Sequence, residues 1–399
     1  MGILSVDVAN ERPKVAWFYN PAIRGFAAQA GLLAILLVLV YFAVTNAAEN
    51  MAKNHIPTDF KFWNAPAGFD TNQHLIPFSA AAQSTYGEAF VVGLLNTLLV
   101  GAIGVVLATF LGFFIGLARL SSNWIVARLA TIYVETLRNI PLLLQLLFWY
   151  QAMLRPLPDP KQSIALPGNM FLNNRGLIVP QPIFGPGSIW VLAAFVIGIV
   201  AALAFRSWAR ARQTATGQAA PVGLVAIGLI IGLPVLALLV TGLPISFSLP
   251  VLGKFNINGG FSIFPELVAL LLGLVLYTAA FIAEIVRAGI QSVSHGQTEA
   301  ARAVGLQPGL TSKLIIVPQA LRVIIPPLTS QYLNLIKNSS LAVFIGYPDL
   351  VQIYMGTVLN QTGAAVQVVL TTMAVYLVIS LVISLAMNIY NRKTSLVER

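Results

Sequence analysis

The chain alternates long apolar runs with short polar segments, and many of the runs are long enough to cross a bilayer. A helix needs about 20 apolar residues to span the hydrocarbon core. The pattern predicts eight spans, and the longer ones are expected to tilt or to extend beyond the membrane. These spans are Phe26–Val44, Ala89–Ala118, Ile125–Met153, Ser188–Phe205, Pro221–Thr241, Phe264–Val286, Pro326–Ile345 and Ala365–Tyr390.

Composition supports a polytopic membrane protein. Charged residues make up 9% of the chain and apolar residues 57%, whereas soluble domains carry about 25% charged residues. Mean hydropathy is +0.82. The chain contains no cysteine, which excludes disulfides, thiolate metal sites and cysteine nucleophiles. The net charge is +10, but the basic residues are dispersed, so membrane topology explains them better than nucleic-acid binding.

The distribution of Lys and Arg predicts the orientation. Of 23 such residues, fifteen fall on the side that holds both termini and six on the other, with Arg138 and Lys337 inside predicted spans. The positive-inside rule therefore places both termini in the cytoplasm, which requires an even number of crossings. The first span is too long for a signal peptide and is expected to be a retained anchor. The outer loops Thr45–Glu88 and Leu154–Gly187 are rich in Pro, Asn and Gly and are predicted to be irregular caps.

A polar cytoplasmic segment, Ser294–Pro318, lies between two spans and predicts a short surface helix. Ser294 and Gln297 have the spacing of an N-terminal capping box, and Gly305 with Pro308 ends the helix. A charged helix held between two membrane helices is suited to docking a soluble partner.

One pair of opposite charges lies inside the third predicted span and another at the end of the sixth. Glu135 and Arg138 have i, i+3 spacing, as do Glu284 and Arg287, so each pair shares a helix face. One interpretation is that the pairs hold helices in register at the cytoplasmic edge of the membrane. The other is that they line or gate a transport pathway.

Lys337 lies in the middle of a span and has no acidic residue nearby in the sequence. It is followed by Asn338, Ser339 and Ser340. This polar cluster predicts a helix break that lines a cavity, as in transporters with discontinuous helices. A snorkelling lysine, or one paired with a distant carboxylate, is the alternative.

The chain lacks the usual signatures of catalysis and metal binding. There is no Walker A loop, no HExxH and no EF-hand loop, so the chain is not predicted to hydrolyse ATP. The three histidines, His55, His74 and His295, are scattered and are interpreted as loop residues. No catalytic or metal site is predicted.

Several motifs together resemble the permease subunits of bacterial ABC importers, in the branch for polar amino acids. The cytoplasmic segment matches the EAA signature of that family, and the spans beside it match the amino-acid branch. The resemblance covers about Glu88–Met153 and Phe264–Tyr390. The matching residues are Glu299-Ala300-Ala301, Gly305 and Ile315 to Pro318 in the signature, with Asn96-Thr97-Leu98, Glu135 to Gln145, Glu284 to Val293 and Pro318 to Arg322 around it.

This resemblance implies an all-α protein with a type I permease core. The core is expected in two parts, residues 89–153 and 264–399, and the second part contains the EAA loop at 289–325. An N-terminal helix in residues 1–88 and an inserted helical pair in residues 154–263 are additions to this core. That layout is similar to the long permeases of general L-amino-acid systems, which pair with a second permease. The expected location is the bacterial inner membrane.

The resemblance also implies partners and site residues. A periplasmic binding protein would deliver an amino acid, and two ATPase subunits, which would bind ATP and Mg²⁺, would grip the EAA helix. Nothing on this chain itself is expected to bind a cofactor. The implied coupling residues are Glu299, Ala300, Ala301, Arg302 and Gly305. Candidates for the translocation path are Glu135, Arg138, Gln145, Glu284, Arg287, Lys337, Asn338, Ser339 and Ser340.

A self-contained secondary transporter or channel is the alternative function. It would need a series of ionisable groups for ion coupling within the membrane, and the spans offer only the two Glu/Arg pairs and Lys337. The sequence leaves open which amino acid is carried and which permease subunit holds the binding site.

Overall fold

The computed structural model describes residues 21–54, 56–253 and 256–394. His55, which lies in the predicted outer loop Thr45–Glu88, is outside this set, as are residues 254 and 255 and the residues at both ends. Within it, seven helices are long and apolar enough to cross a membrane. The helices of seven or more residues are α1 (Pro21–Lys53), α2 (Tyr86–Arg119), α3 (Trp124–Asn139), α5 (Ser188–Thr216), α7 (Leu233–Val240), α8 (Pro265–Gln291), α9 (His295–Ala303), α11 (Val317–Asn338) and α13 (Ala365–Thr394).

Shorter helices and wider turns complete these elements. The short helices are α4 (Leu142–Leu147), α6 (Val222–Ile227), α10 (Pro308–Thr311) and α12 (Leu359–Thr362). Segments with π-helical turns are Phe148–Leu154, Gly228–Gly232, Ser312–Ile316 and Val351–Val358. Segments with 3₁₀ turns are Lys61–Asn64, Pro160–Gln162 and Ser339–Ile345.

Helices α2 and α8 form the centre of the core and run parallel. A Cβ placed on Gly112 would lie 2.6 Å from Ile282 Cβ, and one on Gly116 would lie 2.8 Å from Val286 Cβ. The missing side chains therefore let the two backbones approach closely, as small residues do between membrane helices. Because α2 and α8 point the same way, the chain crosses the membrane an odd number of times between them.

The third predicted span supplies one of these crossings, but in two pieces. Pro141 disfavours the helical conformation at the preceding residue, and Ile140 is extended with φ −96° and ψ 128°. Before the break, Tyr133 and Arg138 contact the middle of α8, at Leu276 and Phe281. After the break, the apolar segment Leu142–Leu154 contacts the N-terminal half of α8.

Two contacts define that second piece. Leu146 packs on Gly273 of α8, and the Tyr150 hydroxyl donates to Glu266 Oε1 over 2.9 Å. Helix α5 and the α6–α7 segment provide the other two crossings. Seven of the eight predicted spans correspond to helices long and apolar enough to cross a membrane, namely α1, α2, α5, the α6–α7 segment, α8, the helix from Pro308 to Ile345 and α13. The third predicted span does not, because it is divided into α3 and the shorter apolar helix Leu142–Leu154.

Helix α11 is antiparallel to α2 and ends in a break. Gly104 of α2 faces Leu335, and Gly101 faces Ile336. After Asn338 the chain continues in 3₁₀ turns to Ile345, where Gly346 reverses it with φ +77°. The segment Val351–Val358 then folds back onto the N-terminal half of α2, and Tyr354 donates to the Tyr86 carbonyl over 3.1 Å.

The second outer loop is more ordered than the sequence predicted. The prediction that Leu154–Gly187 is irregular is wrong, because this loop contains four strands. Three of them form a four-stranded antiparallel sheet with a strand that precedes α8, in the order β1-β2-β3-β8. These strands have two to four residues, too few to show an alternating pattern in the sequence. They are β1 (Ile164–Leu166), β2 (Met170–Asn173), β3 (Gly176–Val179), β4 (Gln181–Phe184), β5 (Ile245–Ser248), β6 (Val251–Leu252), β7 (Ile257–Asn258) and β8 (Phe261–Ile263).

The added helices sit outside the core. Helix α1 is exposed along nearly its whole length. Helix α5 packs against the segment that follows it, where Gly198 lets the Leu229 carbonyl approach. Pairing of β3 with β8 joins the start of the insertion to its end.

Candidate functional site

The cytoplasmic helix predicted for docking is α9, and it presents most of its residues to solvent. Glu299, Ala300, Arg302 and Gly305 are exposed, whereas Ala301 is 2% exposed and faces the rest of the chain. Ala300, not Ala301, is therefore the small residue available to a partner. Val304, which the sequence analysis did not single out, is an apolar side chain that is 76% exposed beside this helix.

The ends of α9 are fixed by backbone groups. Gly305 has φ +78°, as its assignment to a left-handed turn predicted. Its amide donates to the Arg302 carbonyl, and that of Leu306 donates to Ala301. The predicted capping box at Ser294 is wrong, since the Ser294 side chain makes no capping hydrogen bond. A side-chain hydrogen bond from Gln319 to Gln297, 3.2 Å long, ties α9 to the start of α11.

One charge cluster joins the C-terminal end of α2 to α3 and α8. Glu284 pairs with Arg287, as predicted, with Nε to Oε2 at 3.1 Å. Glu284 also accepts from Arg119, whose side chain is only 9% exposed. Arg119 reaches Glu135 at 3.9 Å. The sequence analysis missed Arg119 because 165 residues separate it from Glu284.

The expected pairing of Glu135 with Arg138 is not found. Within the described residues Glu135 has Arg119 as its ion-pair partner. The Arg138 guanidinium instead lies over the Phe281 ring, 5.1 Å from its centroid, an attractive cation–π arrangement. Helix packing thus gives each charge a partner on another helix, α2 for Glu135 and α8 for Arg138, and overrides the local i, i+3 spacing.

Gln145, a candidate path residue, is buried at the break of the third crossing. Its amide nitrogen donates to the carbonyls of Leu137 and Ile140, both at 2.9 Å. These carbonyls lose their helical partners where Pro141 interrupts the helix, and in a membrane such groups must be satisfied inside the protein. The contacts of Gln145 are those of a cap for the broken helix.

Lys337 lies at the predicted break and lines a cavity of about 440 Å³ between α11, the Val351–Val358 segment and α13. Ser340 belongs to the same wall, while α13 contributes Thr372, Tyr376 and Ser380. The lining thus includes one ammonium group and four hydroxyl-bearing side chains, together with the apolar residues Val351, Met355, Met373 and Leu377.

The other members of the polar cluster have structural contacts. Asn338 is the last residue of α11. The hydroxyl of Ser339 donates to the Ile336 carbonyl at 2.8 Å, and that of Ser340 to the Lys337 carbonyl at 2.7 Å. Both bonds satisfy backbone groups at the transition from α-helical to 3₁₀ turns.

A buried polar network holds the turn after this break. The Asn96 amide donates to the Pro348 carbonyl at 2.8 Å, and Leu350 N donates to Thr97 Oγ1 at 3.0 Å. Asp349 is fully buried, where it accepts from Gln352 N and from the Tyr376 hydroxyl. The Asn96-Thr97 pair noted in the sequence thus fixes the fold of the chain segment beside the Lys337 cavity.

Residues 104–396 match the family described as "Binding-protein-dependent transport system inner membrane component". This match spans the core helices, the insertion, α9 and the break after Lys337. The chain belongs to this family. It is therefore a transport subunit of a binding-protein-dependent ABC importer and not an enzyme, located in the inner membrane.

Relatives similar over nearly the whole length agree with this assignment. The chain is 51% identical over 381 residues to the general L-amino acid transport system permease protein AapQ of Rhizobium johnstonii, covering 96% of this chain and 94% of AapQ. It is 50% identical over 382 residues to protein YhdX of Escherichia coli, covering 96% and 97%. It is 42% identical over 428 residues to the glutamate/glutamine/aspartate/asparagine transport system permease protein BztB of Rhodobacter capsulatus, covering 98% and 100%.

Membership fixes the general partners. Subunits of this family work with a separate ATPase and a binding protein, so the energy for transport is not supplied by this chain. A self-contained secondary transporter or channel is accordingly not favoured.

Proposed function

We propose that this chain forms part of the path by which polar or general L-amino acids enter the cell. A periplasmic binding protein delivers the amino acid, and a second, homologous permease forms the other half of the path. The main support is similarity over nearly the full length to AapQ and BztB, whose names state amino-acid transport.

The exposed face of α11 indicates where the second permease binds. Ser330, Asn334 and Lys337 are separated by three or four residues and are all polar, and Asn334 and Lys337 are exposed. Polar groups on a membrane helix avoid lipid and face a partner or a water-filled cavity. This stripe therefore faces the partner permease, with the path between them.

Lys337 is positioned to bind the carboxylate of the substrate. It lines the same cavity as four hydroxyl-bearing side chains, and hydrogen bonds that involve a charged group are roughly twice as strong as neutral ones. Every amino acid carries an α-carboxylate, so such a site serves a broad range of side chains.

ATP and Mg²⁺ bind to two partner ATPase subunits, which act through α9. Ala300 allows close approach, Glu299 and Arg302 supply charges around it, and Val304 adds exposed apolar surface. Movement of α9 reaches the core through the Gln297–Gln319 hydrogen bond and through α8, which carries the charge cluster.

Both termini lie in the cytoplasm. An even number of crossings and the excess of Lys and Arg on that side support this orientation. The path candidates at the cytoplasmic edge, Glu135, Arg138, Glu284 and Arg287, then lie at the inner end of the path.

Competition for uptake tests the substrate class. The complete complex in liposomes is supplied with labelled glutamine and an excess of each other amino acid or of a sugar. Polar L-amino acids are expected to compete and the sugar is not. Unaffected glutamine uptake in the presence of every other amino acid would contradict broad specificity, and absence of any amino-acid uptake would contradict the proposal.

A further inference from the structure

A second polar cavity lies on the outer side of the core, apart from the Lys337 cavity. Its volume is about 120 Å³, which is room for several water molecules. One wall is the outer loop after α1, through Asp70, Thr71 and Asn72, and the other is the segment after the α11 break, through Gln352 and Thr357. The N-terminal addition and the permease core thus build it jointly.

The two walls are joined by one buried side chain. The Asn96 amide donates to the Gln73 carbonyl of the loop at 2.9 Å and to the Pro348 carbonyl of the other wall at 2.8 Å. Asn96 is fully buried and Gln73 is 8% exposed. The loop is therefore anchored into the core at the cavity, so the cavity has a defined shape.

Asp70 gives this cavity its charge. Of its described lining residues, Asp70 is the one with an ionisable side chain. Its Oδ1 accepts from Ala80 N at 2.8 Å, which orients the carboxylate. A fixed carboxylate among hydroxyl and amide groups attracts an ammonium group and repels a carboxylate.

The position of the cavity relates it to transport. The Val351–Val358 segment separates it from the Lys337 cavity, because Gln352 and Thr357 line the outer cavity while Val351 and Met355 line the Lys337 cavity. A carboxylate thus stands on one side of a single segment and an ammonium group on the other, matching the two charges of an amino acid.

We propose that the Asp70 cavity is an entry site that binds the ammonium group of the amino acid before it reaches Lys337. This inference rests on the proposed function, since it assumes that amino acids are the cargo. It assigns to the N-terminal outer loop a direct part in binding the substrate.

The test uses the absence of cysteine from the chain. Asn72→Cys places one thiol in the exposed wall of the cavity, and its rate of reaction with a maleimide is measured in the reconstituted complex without ATP or binding protein. Glutamine is expected to slow labelling, and N-acetylglutamine, which lacks the ammonium group, is not. Equal protection by both compounds, or protection by neither, would overturn the proposal.

Variants at Asp70 test whether its carboxylate is the charge that binds the ammonium group of glutamine. With Asp70→Asn, which keeps an acceptor for Ala80 N, the glutamine concentration for half protection is expected to rise about two- to fivefold, the range of an exposed ion pair. Asp70→Glu keeps the charge and is expected to retain protection. Asp59→Asn is the matched control, because Asp59 is exposed in the same loop and pairs with Lys61. Equal half-protection concentrations in Asp70→Asn and Asp59→Asn would overturn the assignment.

The two proposals can fail separately. Uptake of amino acids by the wild-type complex, without protection of the thiol in the Asn72→Cys variant, would refute the entry site alone. Protection without uptake would refute the proposed transport of amino acids, and with it the role of the cavity as an entry site.

Discussion

At the scale of single residues, the charges of this membrane protein take partners from other helices. Arg119 contacts Glu284 and Glu135, which belong to α8 and α3. Such pairing follows from the high cost of an unpaired charge away from water. Lys337 is different, because it faces a cavity lined with hydroxyl groups, and this difference is why it is assigned to substrate binding.

Lys337→Met is expected to lower uptake strongly while the complex still assembles. Methionine retains most of the length and apolar contacts of lysine but cannot attract a carboxylate. Uptake into liposomes and co-purification of the partner subunits are measured together, with Lys61→Met in the outer loop as the control. Normal uptake by Lys337→Met would leave the residue with a packing role, and loss of assembly would indicate a structural charge pair.

Glu284→Gln is expected to destabilise the subunit by about 1.5–3 kcal/mol, the usual contribution of a hydrogen bond to a charged group. The substitution leaves Arg119 and Arg287 adjacent without the carboxylate they share. The midpoint of thermal unfolding of the detergent-solubilised complex should fall, whereas Glu299→Gln on exposed α9 should leave it unchanged. Identical midpoints for both variants would show that the cluster does not hold the helices together.

At the scale of elements, α9 is a short rigid helix whose exposed face is set by one buried alanine and one left-handed glycine. Ala301 faces the protein, so Ala300 faces outward. Gly305 redirects the chain toward α10 with φ +78°. Rigid elements of this kind can transmit displacement to the core through their ends.

Ala300→Trp and Gly305→Val are expected to reduce transport without preventing insertion of the subunit. Tryptophan at position 300 holds the ATPase away, and valine at 305 is strained at positive φ by roughly 1 kcal/mol or more. The measurement is ATP hydrolysis in liposomes with and without loaded binding protein, alongside uptake. Gly309→Val is a control in the same loop, where an added Cβ has open space and φ is not positive. If loaded binding protein still stimulated ATP hydrolysis fully in both variants, the ATPase would dock elsewhere, and the loop between Arg119 and Arg128 would be the next candidate.

The sequence predicted elements better than it predicted their interruptions. Seven of the eight predicted apolar runs are helices long enough to cross a membrane, since the length of such runs is set by the bilayer, and the third run is broken at Pro141. The same capping pattern occurs before α2, where Thr85 and Glu88 form a complete box, and before α9, where Ser294 forms none. Local sequence permits both outcomes, and the path of the chain entering each helix selects between them. The break at Pro141 could have been predicted, because the residue before a proline disfavours helix.

The candidate site was also predicted only in part, because the sequence shows local patterns but not which distant residues meet. Lys337 and the helix break after it follow from polar residues within an apolar run. The contacts of Arg119 with Glu135 and Glu284 do not, because they arise from the packing of α2 on α8. Nor could the Asp70 cavity be found in the sequence, since Asn96 and Pro348, whose hydrogen bond joins its walls, are 252 residues apart.

At the scale of the whole molecule, the structure is a compact permease core with additions at its outer face and periphery. Parallel α2 and α8 require an odd number of crossings between them, and the broken pair α3–α4, α5 and the α6–α7 segment supply three. The outer loop after α1 leads directly into α2, and the sheet of the insertion ends directly before α8, so both lie at the N-terminal ends of these parallel helices. The additions thus extend that end of the core.

Single cysteines are expected to report this topology. Substitutions at Asn72, Arg175 and Asn258 should react with an impermeant maleimide added outside, since all three residues are exposed. Gln213 and Glu299, also exposed, should react only after the membrane is permeabilised. Labelling of a cysteine at position 213 from outside would show that α5 and the α6–α7 segment do not cross the membrane as described.

The central claim is that this subunit carries amino acids inward when ATP is hydrolysed on one side and loaded binding protein is present on the other. It is tested most directly by uptake of labelled glutamine into liposomes that contain the complete complex, with ATP inside, binding protein outside, both, or neither. Uptake is expected only when both are present. Uptake that proceeds without ATP, driven by an ion gradient alone, would contradict the account.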